Sequence, residues 1–301
     1  AAKRGRKAGT VWVIAHMDVV PAGDPEKWDT PPFGPVYRDG RIYGRGTEDN
    51  GQSVISAMFA SRAVIDQDLQ GMSLGVMFVA DEETGSAKGV QYLIDQGLFS
   101  DEDVIMVPDW GSPGGSMVEI AEKSMMWVRV SVEGKTTHGS TPEQGINAYR
   151  VSTYLLADLM DRLAERYSDR DELFLPPVST FEPTKRPATV ENFNTIPGYD
   201  EFCMDMRILP SYDTDEVLSF MRDVASEHAS STGAAISVDI VQREVSGKPS
   251  SEDSPGLAAL REAVRTVTGN VPRAVGVGGG TCANFFRLKG LDAYVWQCGG
   301  G

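Results

Sequence analysis

Short apolar runs rich in β-branched residues recur in the first third of the chain, at residues 11–15, 75–80 and 104–108, each bounded by turn residues. Between them lie stretches of helical period, such as 53–66 and 87–96. Runs of that kind suit strands buried on both faces of a parallel sheet, and their alternation with helices is the pattern of βαβ units. At Lys123 the pattern changes. Residues 125–133 alternate apolar and polar side chains, as in a half-exposed strand, and lead into the turn-rich segment 134–142. Further on, the pattern predicts a helix over 148–166, a proline-broken loop over 175–187, strands around 189–193 and 201–208, a helix over 214–230 and a strand at 235–241. The closing stretch predicts helices at 255–268 and 283–289 and strands at 274–277 and 293–297. An α+β block thus separates two stretches of α/β pattern, with no internal repeat or low-complexity tract.

Metal-binding side chains follow the apolar runs. The first leads into His16-Met17-Asp18, the second into Asp81-Glu82-Glu83, the third into Asp109, and Asp49 follows Gly44-Arg45-Gly46. In open α/β sheets the ligand crevice lies at the carboxyl ends of the strands, so these residues are expected to share one site. His16 and Asp18, two apart, address the same face of a strand end. Glu82 and Glu83 beside Asp81 repel one another unless cations or protons relieve them. Imidazole plus carboxylates is the donor set of a two-metal hydrolase, with zinc the first expectation. Simpler roles compete: Asp49 as a turn or helix-capping residue, residues 81–84 as a solvated loop, and Glu119 and Glu122 as surface acids.

Composition narrows the partners. At 301 residues and 41% hydrophobic content the chain has material for about two domains with real cores. No apolar run approaches the roughly 20 residues of a membrane span, and no charged-then-apolar leader opens the sequence; the basic start at 1–7 reads as a solvated connection. A soluble protein with no membrane partner is expected. A formal net charge of −15 opposes binding to nucleic acid. The acidity is either ordinary surface solvation or adaptation to a salty cytoplasm. Cys203, Cys282 and Cys298 are widely spaced with no Cys-x-x-Cys pair, which fits a reducing, cytoplasmic setting.

The order of these motifs resembles the dizinc exopeptidase and deacylase family that includes acetylornithine deacetylase, succinyl-diaminopimelate desuccinylase, aminoacylase and zinc carboxypeptidases. The resemblance is carried by Ala15-His16-Met17-Asp18-Val19-Val20-Pro21, Tyr43-Gly44-Arg45-Gly46-Thr47-Glu48-Asp49-Asn50-Gly51, Asp81-Glu82-Glu83-Thr84-Gly85, His138-Gly139-Ser140-Thr141-Pro142 and Gly278-Gly279-Gly280-Thr281. It implies an α/β fold, with a mixed, largely parallel sheet flanked by helices and an inserted small α+β lid and dimerisation domain. The expected division is 1–122 and 243–301 for the catalytic domain and 123–242 for the lid. It also implies two Zn²⁺, with Co²⁺ or Mn²⁺ as alternatives. His16 and Asp109 would hold one ion, Asp49 would bridge, and Glu83 would hold the second. Asp18 would orient His16, a carboxylate on the far imidazole nitrogen being a usual way to fix the tautomer. Glu82 would take a proton from a metal-bound water and return it to the leaving amine.

From the lid, the resemblance has His138 reach across a homodimer to hold the substrate carbonyl oxygen in the partner's site, a sound role for an imidazole donor. Asn194, Arg207 and the loop of Gly279, Gly280 and Thr281 would meet the substrate, Arg207 being suited to gripping a carboxylate; Asn194 and Arg207 also read as structural hydrogen-bonding residues. The glycine loop lacks the Gly-Lys-Ser/Thr ending of a phosphate loop. The sequence departs from the family in three places. Cys282 stands where an Asp usually follows the Thr. Asn50-Gly51-Gln52 replaces the usual approach to a Lys-Gly pair after the bridging Asp. The family's last ligand, a histidine after the final strand and glycine run, is not within 1–301, which leaves the expected set one ligand short. The expected activity is hydrolysis of the amide bond of an N-acyl amino acid, of deacetylase or desuccinylase type, as in amino-acid biosynthesis. A dipeptidase or carboxypeptidase of the same architecture is the alternative, and a catalytically silent peptide- or amino-acid-binding relative is the alternative of another class.

Overall fold

The computed structural model describes residues 9–67, 69 and 71–299, so the basic start lies outside the described residues. The chain forms two compact units, one of Ala1–Ala121, Gly247–Gly276 and Gly280–Gly301, the other of Glu122–Ser246 and Val277–Gly279.

The first unit opens with β1 (Thr10–His16), a hairpin of β2 (Val36–Arg38) and β3 (Arg41–Tyr43), α1 (Ser53–Val64), β4 (Ser73–Val79), α2 (Val90–Asp95), β5 (Val104–Val107) and β6 (Met117–Glu122). β1 pairs in parallel with β4 and with β5, placing Ile14 beside Met77 and Val13 beside Met106. Ile14, Val79, Ile105 and Val107 are wholly or almost wholly buried, as strands covered on both faces require.

The second unit contributes β7 (Ser124–Glu133), β8 (Thr137–His138), α3 (Ala148–Arg166), β9 (Thr180–Lys185), β10 (Thr195–Ile196), β11 (Tyr199–Ile208), α4 (Thr214–Thr232) and β12 (Ala235–Glu244). Its sheet order is β12-β7-β11-β9, with β8 and β10 forming a separate two-stranded ribbon. The alternation along β7 and β11 puts Met126, Val128, Val130, Phe202, Met204 and Met206 on one face. There they pack with Leu155, Leu159 and Leu163 of α3 and Val217, Met221 and Val224 of α4. Asn147 accepts a hydrogen bond from the Arg150 N–H at 3.0 Å, which ends the preceding loop and starts α3 where the sequence predicts it.

The chain returns through α5 (Pro255–Thr268), β13 (Arg273–Val277), α6 (Ala283–Leu288) and β14 (Ala293–Val295), completing a six-stranded sheet of order β13-β6-β14-β5-β1-β4. β14 is parallel to β5 and antiparallel to β6, so the sheet is mixed and largely parallel. Among the described residues no helix is long and apolar enough to cross a membrane.

Two local expectations are corrected. No strand forms at 189–193; the strand is β9, inside the predicted loop, and contains Pro183. Proline is tolerated there because β9 is the sheet's edge, where ladder donors go unused on one side. Glu119 and Glu122 are not surface acids: they are 0% and 2% exposed. Glu119 meets the equally buried Arg287 at 2.9 Å, a pairing that offsets the cost of taking a carboxylate out of water.

Candidate metal centre

β5, β1 and β4 are neighbours, and their carboxyl ends deliver the candidate ligands side by side. His16 is the last residue of β1, Asp109 follows β5, and Glu82 and Glu83 follow β4. Asp49 comes from the loop ahead of α1. Gly46 has φ +80°, and a Cβ on it would lie 2.5 Å from a Val19 methyl; a Cβ on Gly51 would lie 2.4 Å from the Gly46 carbonyl oxygen. The Gly51 N–H donates to that same carbonyl at 2.9 Å, so both glycines are needed to close the loop that carries Asp49.

His16 is 3% exposed. Its Nδ1 lies 3.0 Å from the backbone oxygen of Asp18 and 3.6 Å from that residue's carboxylate, so a neutral ring holds its proton on Nδ1 and turns the Nε2 lone pair outward. Nε2 lies 2.8 Å from Asp49 Oδ1 and 3.4 Å from Asp109 Oδ1. One ligand atom from each of His16, Asp49 and Asp109 falls within 4.8 Å of the other two.

Glu83 stands just outside this trio. Its carboxylate accepts from the Val20 N–H at 3.1 Å, and its own N–H donates to Asp18 Oδ2 at 3.1 Å. Asp18 therefore braces the His16 and Glu83 segments together. Asp81, at φ +69°, accepts from the Thr84 hydroxyl and the Lys88 N–H, folding the turn that presents both glutamates.

The electrostatics are those of an anion-crowded pocket. Burial, then the charge of Asp109, pushes Glu82 up to about 8, with Glu83 and Asp49 adding to the rise. Burial and the charge of Asp49 also raise Glu83. For His16 burial works downward, but hydrogen bonds to Asp109 and Asp49 and the charges of Asp109 and Glu82 outweigh it and raise the imidazole to about 11. The His16 hydrogen bond in turn lowers Asp49. A carboxylate cluster around one imidazole fits divalent cations. Since a metal takes only neutral imidazole, binding at pH 7 is expected to expel the His16 proton. Apparent affinity then rises about tenfold per pH unit for each proton displaced, up to pH about 11. Calorimetric titration in buffers of different ionisation heat measures this; binding without proton release would remove His16 from the ligand set.

In the second unit, β8 and β10 pair His138 with Thr195, next to Asn194. His138 is exposed, its Nδ1 lies 3.2 Å from the Ser140 N–H, and Asn194 Nδ2 lies 3.4 Å from its Nε2. The Ser140 N–H donates to Nδ1, which leaves Nε2 as the ring nitrogen beside Asn194. Arg207 is held: its Nε and one NH2 group bond the Asp205 carboxylate at 2.7 and 2.9 Å, and its other terminal nitrogen donates to the Gly278 carbonyl at 2.8 Å. Gly279 has nothing within 4 Å of where a Cβ would sit, and Gly279 and Gly280 are exposed. The Thr281 hydroxyl accepts from the Ala283 N–H at 3.2 Å.

Asn50 is the residue at this centre that sequence reasoning passes over. It is 2% exposed and donates to the Asp109 carboxylate. The only sign in the sequence is that Asn50-Gly51-Gln52 departs from the family pattern after Asp49.

Residues 12–301 match the family model described as peptidase family M20/M25/M40. An uncharacterised metallohydrolase of Methanocaldococcus jannaschii is 38% identical over 96% of this chain and 74% of its own length. A succinyl-diaminopimelate desuccinylase of Caulobacter sp. strain K31 is 28% identical over 95% of this chain and 74% of its own. Among solved structures, a tripeptidase of Staphylococcus aureus superposes with a TM-score of 0.74 at 18% identity, covering 98% of this chain and 74% of that one.

Proposed function

This chain belongs to peptidase family M20/M25/M40 and is a metallohydrolase, and from that premise we propose that it hydrolyses the amide bond of an N-acyl amino acid, deacetylase or desuccinylase fashion, with two zinc ions. The observation that carries the reading is the meeting of His16, Asp49 and Asp109 at adjacent strand ends, with Glu82 and Glu83 on the next strand. His16, Asp49, Asp109 and Glu83 would hold the ions. When bound, such ions polarise the scissile carbonyl and make water a nucleophile at neutral pH.

The protein's own groups do the rest. Asp18 fixes the His16 ring so that only Nε2 faces the centre. Glu82 is raised to about 8 by burial and by the charge of Asp109, against a smaller lowering by His16; the positive charge of bound ions favours its ionised form, which makes it a base. It takes a proton from the attacking water as the water oxygen bonds to the carbonyl carbon. As the C–N bond breaks it delivers that proton to the departing nitrogen. His138 donates to the oxygen on which negative charge develops, and it does so in a partner's site, the protein acting as a homodimer through the second unit. Asn194, Arg207 and the loop of Gly279, Gly280 and Thr281 bind the substrate's polar end. Arg207, steadied by Asp205, still has donors free for a carboxylate.

Metal analysis together with hydrolysis assays on acetyl- and succinyl-amino acids and on dipeptides tests this. The expected result is a zinc-dependent rate on an acyl amino acid that exceeds the rate on any dipeptide. The reverse order would make the protein a peptidase, and metal-bound protein inert on every substrate would favour a binding role.

A further inference from the structure

Asn50 follows Asp49, and its side chain turns into the centre, 2% exposed. Its Nδ2 donates to the Pro108 carbonyl at 3.2 Å and to Asp109 Oδ1. Both partners are acceptors only, so the chemistry fixes which end of the amide points at them. Asn50 Oδ1, by contrast, is buried with no partner. An apolar residue of similar size would fill the space without leaving that oxygen orphaned, so packing alone does not account for an asparagine here. What the amide supplies and leucine lacks is the donor pair facing Pro108 and Asp109, residues that adjoin in sequence and form the turn after β5.

We propose that Asn50 is a positioning residue for Asp109, clamping this turn and Oδ1, the carboxylate oxygen that lies 3.4 Å from His16 Nε2, so that Asp109 meets a divalent cation shared with His16 through one oxygen rather than two. This rests on the reading that His16, Asp49 and Asp109 hold a metal. The clamp does two things. It removes rotational freedom from a short carboxylate and holds its Oδ1 3.4 Å from His16 Nε2. It also disfavours two-oxygen coordination by Asp109, which suits zinc with its few ligands better than larger cations that accept bidentate carboxylates.

The test uses the full chain, stripped by chelator, with zinc and calcium as separate probes. Affinity is read by competition with a chromophoric chelator, and unfolding of the metal-free protein is followed in parallel. Asn50→Leu and Asn50→Ala are each expected to lose about 10–100-fold in zinc affinity, to narrow the zinc-over-calcium preference, and to unfold no earlier than wild type without metal. His16→Ala, removing a ligand outright, should lose more. Unchanged zinc affinity in both Asn50 variants, with His16→Ala impaired, would overturn the clamp and leave the metal reading standing. Affinity that falls only in step with metal-free stability in both variants would assign Asn50 to the fold and overturn it too. Wild-type protein that takes up no zinc would remove both.

Discussion

Glu82→Ala is expected to lower turnover by at least about 100-fold, the low end for loss of a general acid and base, in protein that retains its full metal content. Glu82 is next to Glu83 in the chain but has a different environment. Its carboxyl makes none of the contacts that tie Glu83 to Val20 or Asp49 to His16. It is the more strongly raised of the two, by burial first and by the charge of Asp109 second. A carboxyl that is close enough to feel every ligand without touching them is suited to handling protons rather than holding ions. Alanine therefore deletes the proton carrier and relieves repulsion among the remaining acids, so metal binding should be kept or tightened. Steady-state rates on the best substrate and elemental analysis of the same samples decide it. Loss of metal along with activity would make Glu82 a ligand and require the roles of Glu82 and Glu83 to be exchanged.

Mixing two nearly inactive variants, His138→Ala and Glu82→Ala, is expected to restore hydrolysis. His138 is an exposed residue of the β8–β10 ribbon in the second unit, beside Asn194, whereas Glu82 belongs to the first unit. If His138 serves the partner's site, a mixed dimer holds one site with an intact Glu82 from one protomer and an intact His138 from the other, while its second site lacks both. Random exchange of subunits makes half of all dimers mixed, each with one good site, so activity should approach about a quarter of wild type. Co-purification through a tag on one variant confirms exchange. With exchange confirmed, activity no greater than that of the separate variants would place His138 in the service of its own chain.

Much of this arrangement is legible in the sequence because the informative residues sit at discontinuities. His16 and Asp109 end apolar runs, and a polar residue at the end of a buried parallel strand has few reasons to be there other than the crevice. The start of α5 is legible for a local reason: Ser254 caps it, accepting from the Leu257 N–H at 3.1 Å, and Pro255 opens its first turn. What escapes depends on distant partners. Glu119 reads as a surface acid because the arginine that neutralises it lies 168 residues away. β9 reads as a loop because Pro183 interrupts it, and only the sheet order shows that this strand has a free edge. Asn50 carries no periodic or motif signal; its role depends on the turn after β5 being folded against the Asp49 loop.

The strand-end ligands are remote in the chain and adjacent in space, which makes a cation at this centre a reversible cross-link. It ties the ends of β1, β4 and β5 to the loop before α1, closing several long loops at once, as a multivalent disulfide would. On the proposed ligand set, metal supply would govern how much folded protein a cell retains, as well as how fast each molecule works. Loss of His16, Asp49 or Asp109 should accordingly reduce the amount of protein as well as its rate, while loss of Glu82 should spare the amount. In a population of natural variants, the ligands would thus be guarded twice, once by chemistry and once by persistence, and the proton carrier only once.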